Sequence, residues 1–310
     1  MKHYSVMLLE TLDLLSIKPN GIYVDGTLGR GGHSCEILKR LDQGHLYCFD
    51  LDLQAIEESK QRLDEVGNNY TCIHANFADM KKCLAQLNVL QVDGILLDLG
   101  VSSPQFDEST RGFSYRSDAK LDMRMNQEGS LTAYDVVNQY SFQDLYRILT
   151  VYGQEKFAKH IARAIENYRK HKPIETTFEL VDIVKSVLPA KVLSSKGHPC
   201  KQTFQAIRIE VNQELESLKK FLNEFDELLK ECGRCAIITF HSLEDRLVKE
   251  KFQALSSVKH VDKRIPLLPN QVEEANFRLL NKKVIIATQE ELEENKRSKP
   301  AKLRGIERLR

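Results

Sequence analysis

The chain has 310 residues, enough for one large domain or for a domain with a second inserted into it. Its 45 Lys and Arg against 44 Asp and Glu leave a net charge of +1, so nucleic-acid binding would have to come from local basic patches. The seven Cys are scattered, Met1 to Ser5 lacks the apolar core of a signal peptide, and no stretch approaches a membrane span; the expectation is a cytoplasmic protein with reduced thiols.

Tyr4 to Leu15 carries an apolar stripe (Val6, Leu8, Leu9, Leu12, Leu15) that mixes helical spacing with a continuous run, and Pro19-Asn20-Gly21 turns the chain. Ile22 to Asp25 reads as a short strand. Between it and a helix over Cys35 to Leu41 lie four glycines in seven residues, Gly26, Gly29, Gly31 and Gly32. An ordinary turn seldom needs so many, whereas a backbone that must approach a ligand closely does. The spacing is not G-x-G-x-x-G, which weakens a dinucleotide reading. The next strand, Leu46 to Phe49, ends at Asp50, about twenty residues past the loop, where an acid suits the two hydroxyls of a ribose. Asp52 is a second candidate, or else a cap for the helix Gln54 to Val66. A third strand, Tyr70 to His74, delivers Phe77, either to pack on an adenine or as plain core.

Val92 to Leu97 is apolar but for Asp93, the pattern of a strand covered on both faces in a parallel sheet. It ends on Asp98, and Gly100 and Pro104 then prevent a quick return to regular structure. Ligands of open α/β sheets sit beyond the carboxyl ends of the strands, so chemistry is expected from Asp98 to Phe106. Polar acceptors (Asp98, Ser102, Ser103), a stiffening Pro104 and the Phe106 ring could hold a flat, amine-bearing base. Four strand ends that carry a glycine loop, an acid, an aromatic and Asp98 resemble the Rossmann-like S-adenosylmethionine-dependent methyltransferases; an NAD enzyme stays compatible with the loop alone. Ser103-Pro104-Gln105-Phe106 is similar to the S/N/D-P-P-aromatic motif of enzymes that methylate exocyclic amines, with Gln105 in place of the second Pro. Such an amine is a poor nucleophile because its lone pair is delocalised into the ring. Acceptors on its hydrogens, here the Ser103 hydroxyl and Pro104 carbonyl, localise that pair.

From Ser130 to about Pro199 the pattern is helical: Thr132 to Asn138, Phe142 to Val151, Glu155 to His171 and Phe178 to Val187. The expected architecture is therefore a methyltransferase domain, 1–107 with 200–310, interrupted by an all-helical insertion, 108–199. Lys156, Lys159, Arg163, Arg169, Lys170 and Lys172 make a basic helix, which is either a solvated face or a phosphate contact. Arg111, Arg116, Lys120 and Arg124 lie closer to the active-site loop and are the better RNA candidates. Pro199-Cys200-Lys201-Gln202 is similar to the nucleophile loop of cytosine-C5 methyltransferases, in which a thiolate adds to the ring. The alternative is a small residue in a loop. Thr203 to Glu231 reads as one long amphipathic helix, and Cys232-Gly-Arg-Cys235 as a turn into a strand that ends at Phe240. His241 at that strand's end is either structural or catalytic. A helix over Asp245 to Leu255 and a last strand, Lys283 to Thr288, precede a basic tail with Lys302, Arg304, Arg308 and Arg310, read as an arm on RNA.

Several longer motifs resemble one family, the RsmH (MraW) ribosomal RNA methyltransferases: Asp25-Gly26-Thr27 through His33-Ser34, Leu97 through Gln105, Arg111 through Tyr115, Asp118 through Met125, and Phe240 through Arg246. The resemblance covers almost the whole chain. It implies methylation of N4 of a cytidine in the decoding region of 16S ribosomal RNA, with S-adenosylmethionine as cofactor and no metal, and RNA recognition by the helical insertion, 108–199. It also implies that Gly31, Gly32 and His33 meet the methionine part of the cofactor, Asp50 its ribose and Phe77 its adenine side, while Asp98 and Gln105 close the site. Ser103, Pro104, Asp98 and His241 are the catalytic candidates, and Phe106 would stack the base. The expected partner is small-subunit ribosomal RNA or the small ribosomal subunit, and a homodimer stays open. Competing functions are C5 methylation through Cys200 and a non-catalytic RNA-binding module in ribosome assembly. Relatives generally have Ala where this chain has Cys200.

Overall fold

A computed structural model describes residues 5–101, 108–257 and 275–310. The chain divides into two compact units, Met1–Gly100 with Glu216–Arg310, and Val101–Leu215.

The first unit is a mostly parallel sheet between helices, the expected α/β class. Strands β1 (Ile22–Asp25), β2 (His45–Asp50), β3 (Tyr70–His74), β4 (Val92–Asp98) and β5 (Leu229–Thr239) run parallel in the order β3-β2-β1-β4-β5. The order reverses at β1, which lies between β2 and β4, so the crevice for a ligand opens at the carboxyl ends of β1, β2 and β4. β4 explains the arrangement physically. Ile95 and Leu97 pack on one face with Phe49, Phe221 and Phe225, while Leu96 packs on the other with Leu12, Leu15 and Ile37. Buried on both sides, Ile95 to Leu97 are apolar at every position, and each such Leu or Ile contributes roughly 1.5–3 kcal/mol. The helices of this unit include α1 (Leu8–Leu15), α2 (Gly32–Leu38), α3 (Leu53–Asp64) and α4 (Met80–Gln86).

The far edge differs from expectation. Three short strands follow β5: β6 (Phe277–Leu279), β7 (Ile285–Ile286) and β8 (Lys302–Arg308). β8 is antiparallel and sits inside the sheet, between β5 and β6. The presumed basic arm is thus sheet. Lys302 and Arg304 bind the Asp245 carboxylate at 2.9 and 2.7 Å, and Arg308 donates to the carbonyls of Asp226 and Leu229.

The second unit is helical, with α5 (Ala133–Gln139), α6 (Phe142–Val151), α7 (Ala158–Tyr168), α8 (Thr177–Ser186), the single turn α9 (Ala190–Leu193) and α10 (Lys201–Asn212) around one apolar core. Capping boxes start α5 (Thr132 with Asp135) and α8 (Thr176 with Glu179). The borders fall at 100/101 and 215/216 rather than 107/108 and 199/200. The reason for the second shift is α10, whose Phe204, Ala206, Ile207 and Val211 belong to the helical core. The expected single helix from Thr203 is broken at Gln213, a left-handed residue (φ 50°), and a separate helix, α11 (Glu214–Leu228), leads into β5. Among the described residues no helix is long and apolar enough to cross a membrane.

Candidate active site

The glycine turn after β1 is laced across three strand ends. The Gly26 N–H donates to the Leu96 carbonyl at 2.8 Å and the Leu28 N–H to the Phe49 carbonyl at 2.8 Å. The Gly29 N–H donates to Asp50 Oδ2 at 2.7 Å, and the Thr27 hydroxyl accepts the Asp98 N–H at 2.6 Å. Gly29 and Gly31 have φ of 51° and 70°, a region that side chains disfavour. Under the turn, Asp25 is buried and accepts the Ser34 hydroxyl at 2.6 Å; burial lifts its carboxyl to about 6.

Asp50 lies where the sequence places it. Its Oδ2 takes the Gly29 N–H and its Oδ1 the Asp52 N–H at 2.9 Å, with the Leu51 N–H also acting on it, and a carboxylate of about four acceptor positions still has room for a ligand hydroxyl. Burial raises its pKa above the usual carboxylate range. Asp52 is a cap, accepting the Gln54 N–H at 3.2 Å. Phe77 opens a short 3₁₀ turn capped by Asn76, half-buried, with its ring edge-on to Phe221 at 6.0 Å.

Asp98 is the unusual group. Its Oδ1 is buried with no hydrogen-bond partner among the described residues, while its side chain keeps 23% of its surface open. Burial, with the negative charges of Asp25, Glu244 and Glu291, holds its pKa well above the ordinary value. His33 faces it, Nδ1 being 3.7 Å from Asp98 Oδ2. Burial lowers the His33 pKa to about 4, so the ring is neutral at physiological pH. Its Nε2 lies 3.0 Å from the Val6 carbonyl, which can only accept; Nε2 therefore carries the hydrogen and Nδ1 is left as an acceptor.

Other candidates have structural employment. His241 caps the helix α12 (Ser242–Ser256): its Nδ1 accepts the Glu244 N–H at 3.5 Å, and its Nε2 lies 3.1 Å from Glu244 Oε1. The buried Glu244 answers by accepting the Phe240 and His241 N–H groups. Arg111 and Arg124 are corrected as RNA contacts. Arg111 is buried and donates to the carbonyls of Arg124 and Met125, and Arg124 binds Asp122 with two nitrogens and the carbonyls of Gln127 and Gly129 with a third. Arg116 and Lys120 are exposed. On the basic helix, Arg163 pairs with Glu166 and lies over Phe142, Arg169 binds the carbonyls of Val137 and Tyr140, and Lys172 pairs with Glu179. Cys200 is fully buried in the helical core, and burial raises its thiol to about 12, which removes the thiolate that C5 chemistry needs.

Ser103, Pro104, Gln105 and Phe106 lie outside the described residues. Three groups at the site went unread in the sequence: the Val6 carbonyl on His33, and the acids Glu244 and Glu291 near Asp98. Glu244, three residues after His241, has capping-box spacing and was legible; the other two leave no local signal.

A model of the MraW methylase family matches residues 1–309. A ribosomal RNA small subunit methyltransferase H from Streptococcus mutans serotype c is 52% identical over 99% of this chain and 98% of that one. Among solved structures, a rRNA methylase from Streptococcus thermophilus is 14% identical when superposed, covering 100% of this chain and 99% of that one, with a TM-score of 0.41. A Streptococcus mutans chain solved in complex with SAH is 13% identical, covering 99% and 100%, with a TM-score of 0.43.

Proposed function

Because this chain belongs to the MraW methylase family, and so methylates ribosomal RNA with S-adenosylmethionine, we propose that its target is N4 of a cytidine in the decoding region of 16S ribosomal RNA. The observation that carries the reading is Asp98: a buried carboxyl oxygen without a hydrogen-bond partner among the described residues, at the switch point of the sheet, beside the glycine turn. An acid whose proton is held only by desolvation and neighbouring anions is a site waiting for a cation. The methionine ammonium group supplies one. The neighbouring residues fit the rest of the cofactor: the glycine turn for close backbone approach, His33 Nδ1 as an acceptor, the room left on the Asp50 carboxylate for the ribose and Phe77 for the adenine side.

When bound, S-adenosylmethionine supplies an electrophilic methyl on a sulfonium centre. The chain's own part is positioning. In this proposal the Ser103 hydroxyl and Pro104 carbonyl accept the N4 hydrogens and localise the lone pair, Gln105 closes the cofactor side, and Phe106 stacks the cytosine, worth ~1–3 kcal/mol. If the cytidine starts paired or stacked, extruding it costs a few kcal/mol. Arg116 and Lys120 contact RNA phosphates, and the substrate places the enzyme in the cytoplasm. His241 serves as a helix cap.

Mapping modified nucleotides by mass spectrometry in cells lacking the protein tests the function. Loss of N4-methylcytidine, restored by the wild-type gene, is expected; loss of a C5-methylated base instead, or of no mark at all, overturns it, the second outcome favouring an RNA-binding module. Ser103→Ala should lower kcat by roughly 10²-fold with cofactor affinity unchanged, and wild-type turnover would remove Ser103 from the reaction. Asp50→Ala removes the acceptor of the Gly29 and Asp52 N–H groups as well as the ribose contact. Calorimetry should show S-adenosylhomocysteine binding weakened at least about tenfold; equal affinity refutes the ribose assignment.

A further inference from the structure

We infer that Glu291 is a positioning residue for the cofactor end of the site, acting through the segment Ser5–Met7, which it pins onto the glycine turn. The inference rests on the reading of that turn as the S-adenosylmethionine site. Glu291 lies on the helix α13 (Gln289–Glu294), far from the turn in sequence. Its Oε1 accepts the Met7 N–H at 2.9 Å and the Ser298 hydroxyl at 2.5 Å. Its own N–H and carbonyl are engaged by Thr288 Oγ1 and the Asn295 N–H, so the side chain projects from an anchored helix.

What Glu291 holds is not a relaxed chain end. Met7 is fully buried and left-handed (φ 50°, ψ 42°), a conformation non-glycine residues disfavour. Its N–H bond to Glu291 opposes relaxation. The two preceding residues lie directly on the turn. A Cβ built on Gly32 would sit 1.9 Å from Ser5 Oγ, and the Val6 carbonyl takes His33 Nε2 at 3.0 Å. Val6 thereby selects the tautomer of His33 and turns the Nδ1 lone pair toward Asp98. If Glu291 releases Met7, Val6 loses its fixed place, and His33 is free to adopt the other tautomer, whose Nδ1 carries a hydrogen and repels an ammonium group. Glu291 acts a second time through its charge, which is among those that bear on Asp98.

The test uses the full chain with Glu291→Ala and Glu291→Gln. Imidazole ¹⁵N shifts of the ligand-free protein should show His33 protonated on Nε2 in the wild type, mixed in Glu291→Ala, and back on Nε2 in Glu291→Gln, whose amide oxygen still accepts the Met7 N–H. Calorimetry with S-adenosylhomocysteine, well below the melting temperature, should show about a tenfold loss for Glu291→Ala. Glu291→Gln should recover most of it, and KM for the methyl donor should rise in the alanine variant with kcat unchanged. A merely structural anchor lowers the melting temperature but moves neither the tautomer nor the ratio of KM to kcat. An unchanged tautomer in Glu291→Ala, or wild-type affinity, overturns the inference. A wild-type chain that binds no S-adenosylhomocysteine overturns the cofactor reading instead, while the ligand-free tautomer still decides the role of Glu291.

Discussion

Asp98→Asn should weaken S-adenosylmethionine binding by roughly 10²-fold and abolish its pH dependence. Truncating one partner of a buried charge pair costs about 2–5 kcal/mol, and 1.4 kcal/mol is a factor of ten. In the ligand-free protein, desolvation and the neighbouring anions hold the Asp98 pKa well up, and a cationic ligand prefers the ionised form. Binding must therefore displace a proton. Affinity of the wild type should rise with pH through that raised pKa and level off above it, and calorimetry in buffers of different ionisation enthalpy should detect the released proton. Asn does not ionise, so its weaker binding should be flat with pH. Stability should move oppositely. An acid whose folded pKa lies above its unfolded value destabilises the fold at higher pH, so ligand-free Asp98→Asn should melt above the wild type. Tight, pH-dependent binding by the Asn variant would remove Asp98 from the ammonium site.

Gly112→Ala should lower the stability of the helical unit by about 3 kcal/mol, the sum of a strained backbone and a steric clash. Gly112 has φ of 71°, and a Cβ there would meet the Lys120 carbonyl oxygen at 2.3 Å and the Asp122 nitrogen at 3.0 Å. Backbone cannot swing aside as a side-chain tip can. The surrounding loop is also tied at several points: the Met123 N–H donates to the Arg111 carbonyl, and the Arg111 guanidinium reaches the Arg124 and Met125 carbonyls. Phe113, Leu121 and Met123 anchor it in the helical core. Urea unfolding combined with hydrogen exchange of residues 108–212 measures the effect, and a loss below 1 kcal/mol would show that the loop yields. RNA affinity should fall with stability, because Arg116 and Lys120 ride on the same loop.

The centre of the parallel sheet was readable because Ile95–Leu97 of β4 and Cys235–Ile238 of β5 are buried and written in unbroken apolar runs, with Asp50 and Asp98 marking where β2 and β4 stop. β8 was not. Its sequence, Lys-Leu-Arg-Gly-Ile-Glu-Arg, mixes charge with small or apolar groups and looks like a tail until Asp245 and the carbonyls of Asp226 in α11 and Leu229 in β5 are found to take up its cations, and its own Glu307 to accept Arg234 of β5. The break at Gln213 was invisible for a related reason: a left-handed Gln carries no signature. Arg111 and Arg124 were misjudged because a guanidinium reads as a phosphate ligand in sequence, yet its fan of donors equally suits a cluster of loop carbonyls. The cofactor side of the site was legible to the extent that it sits on strand ends. The part held by Ser5–Met7 and Glu291 was not, because that contact joins residues 284 positions apart.

The place of β8 also bears on how the protein is made. Synthesis reaches Lys302–Arg308 only after every strand that it pairs with has been made. The helical unit, being contiguous, can acquire its core on the way out. The sheet cannot, and until β8 arrives the Ile237–Ile238 stretch of β5 presents an open edge, the feature that recruits foreign strands. A chain released after truncation before Lys302 should therefore be a client of holding chaperones, and one that includes Lys302–Arg308 should not.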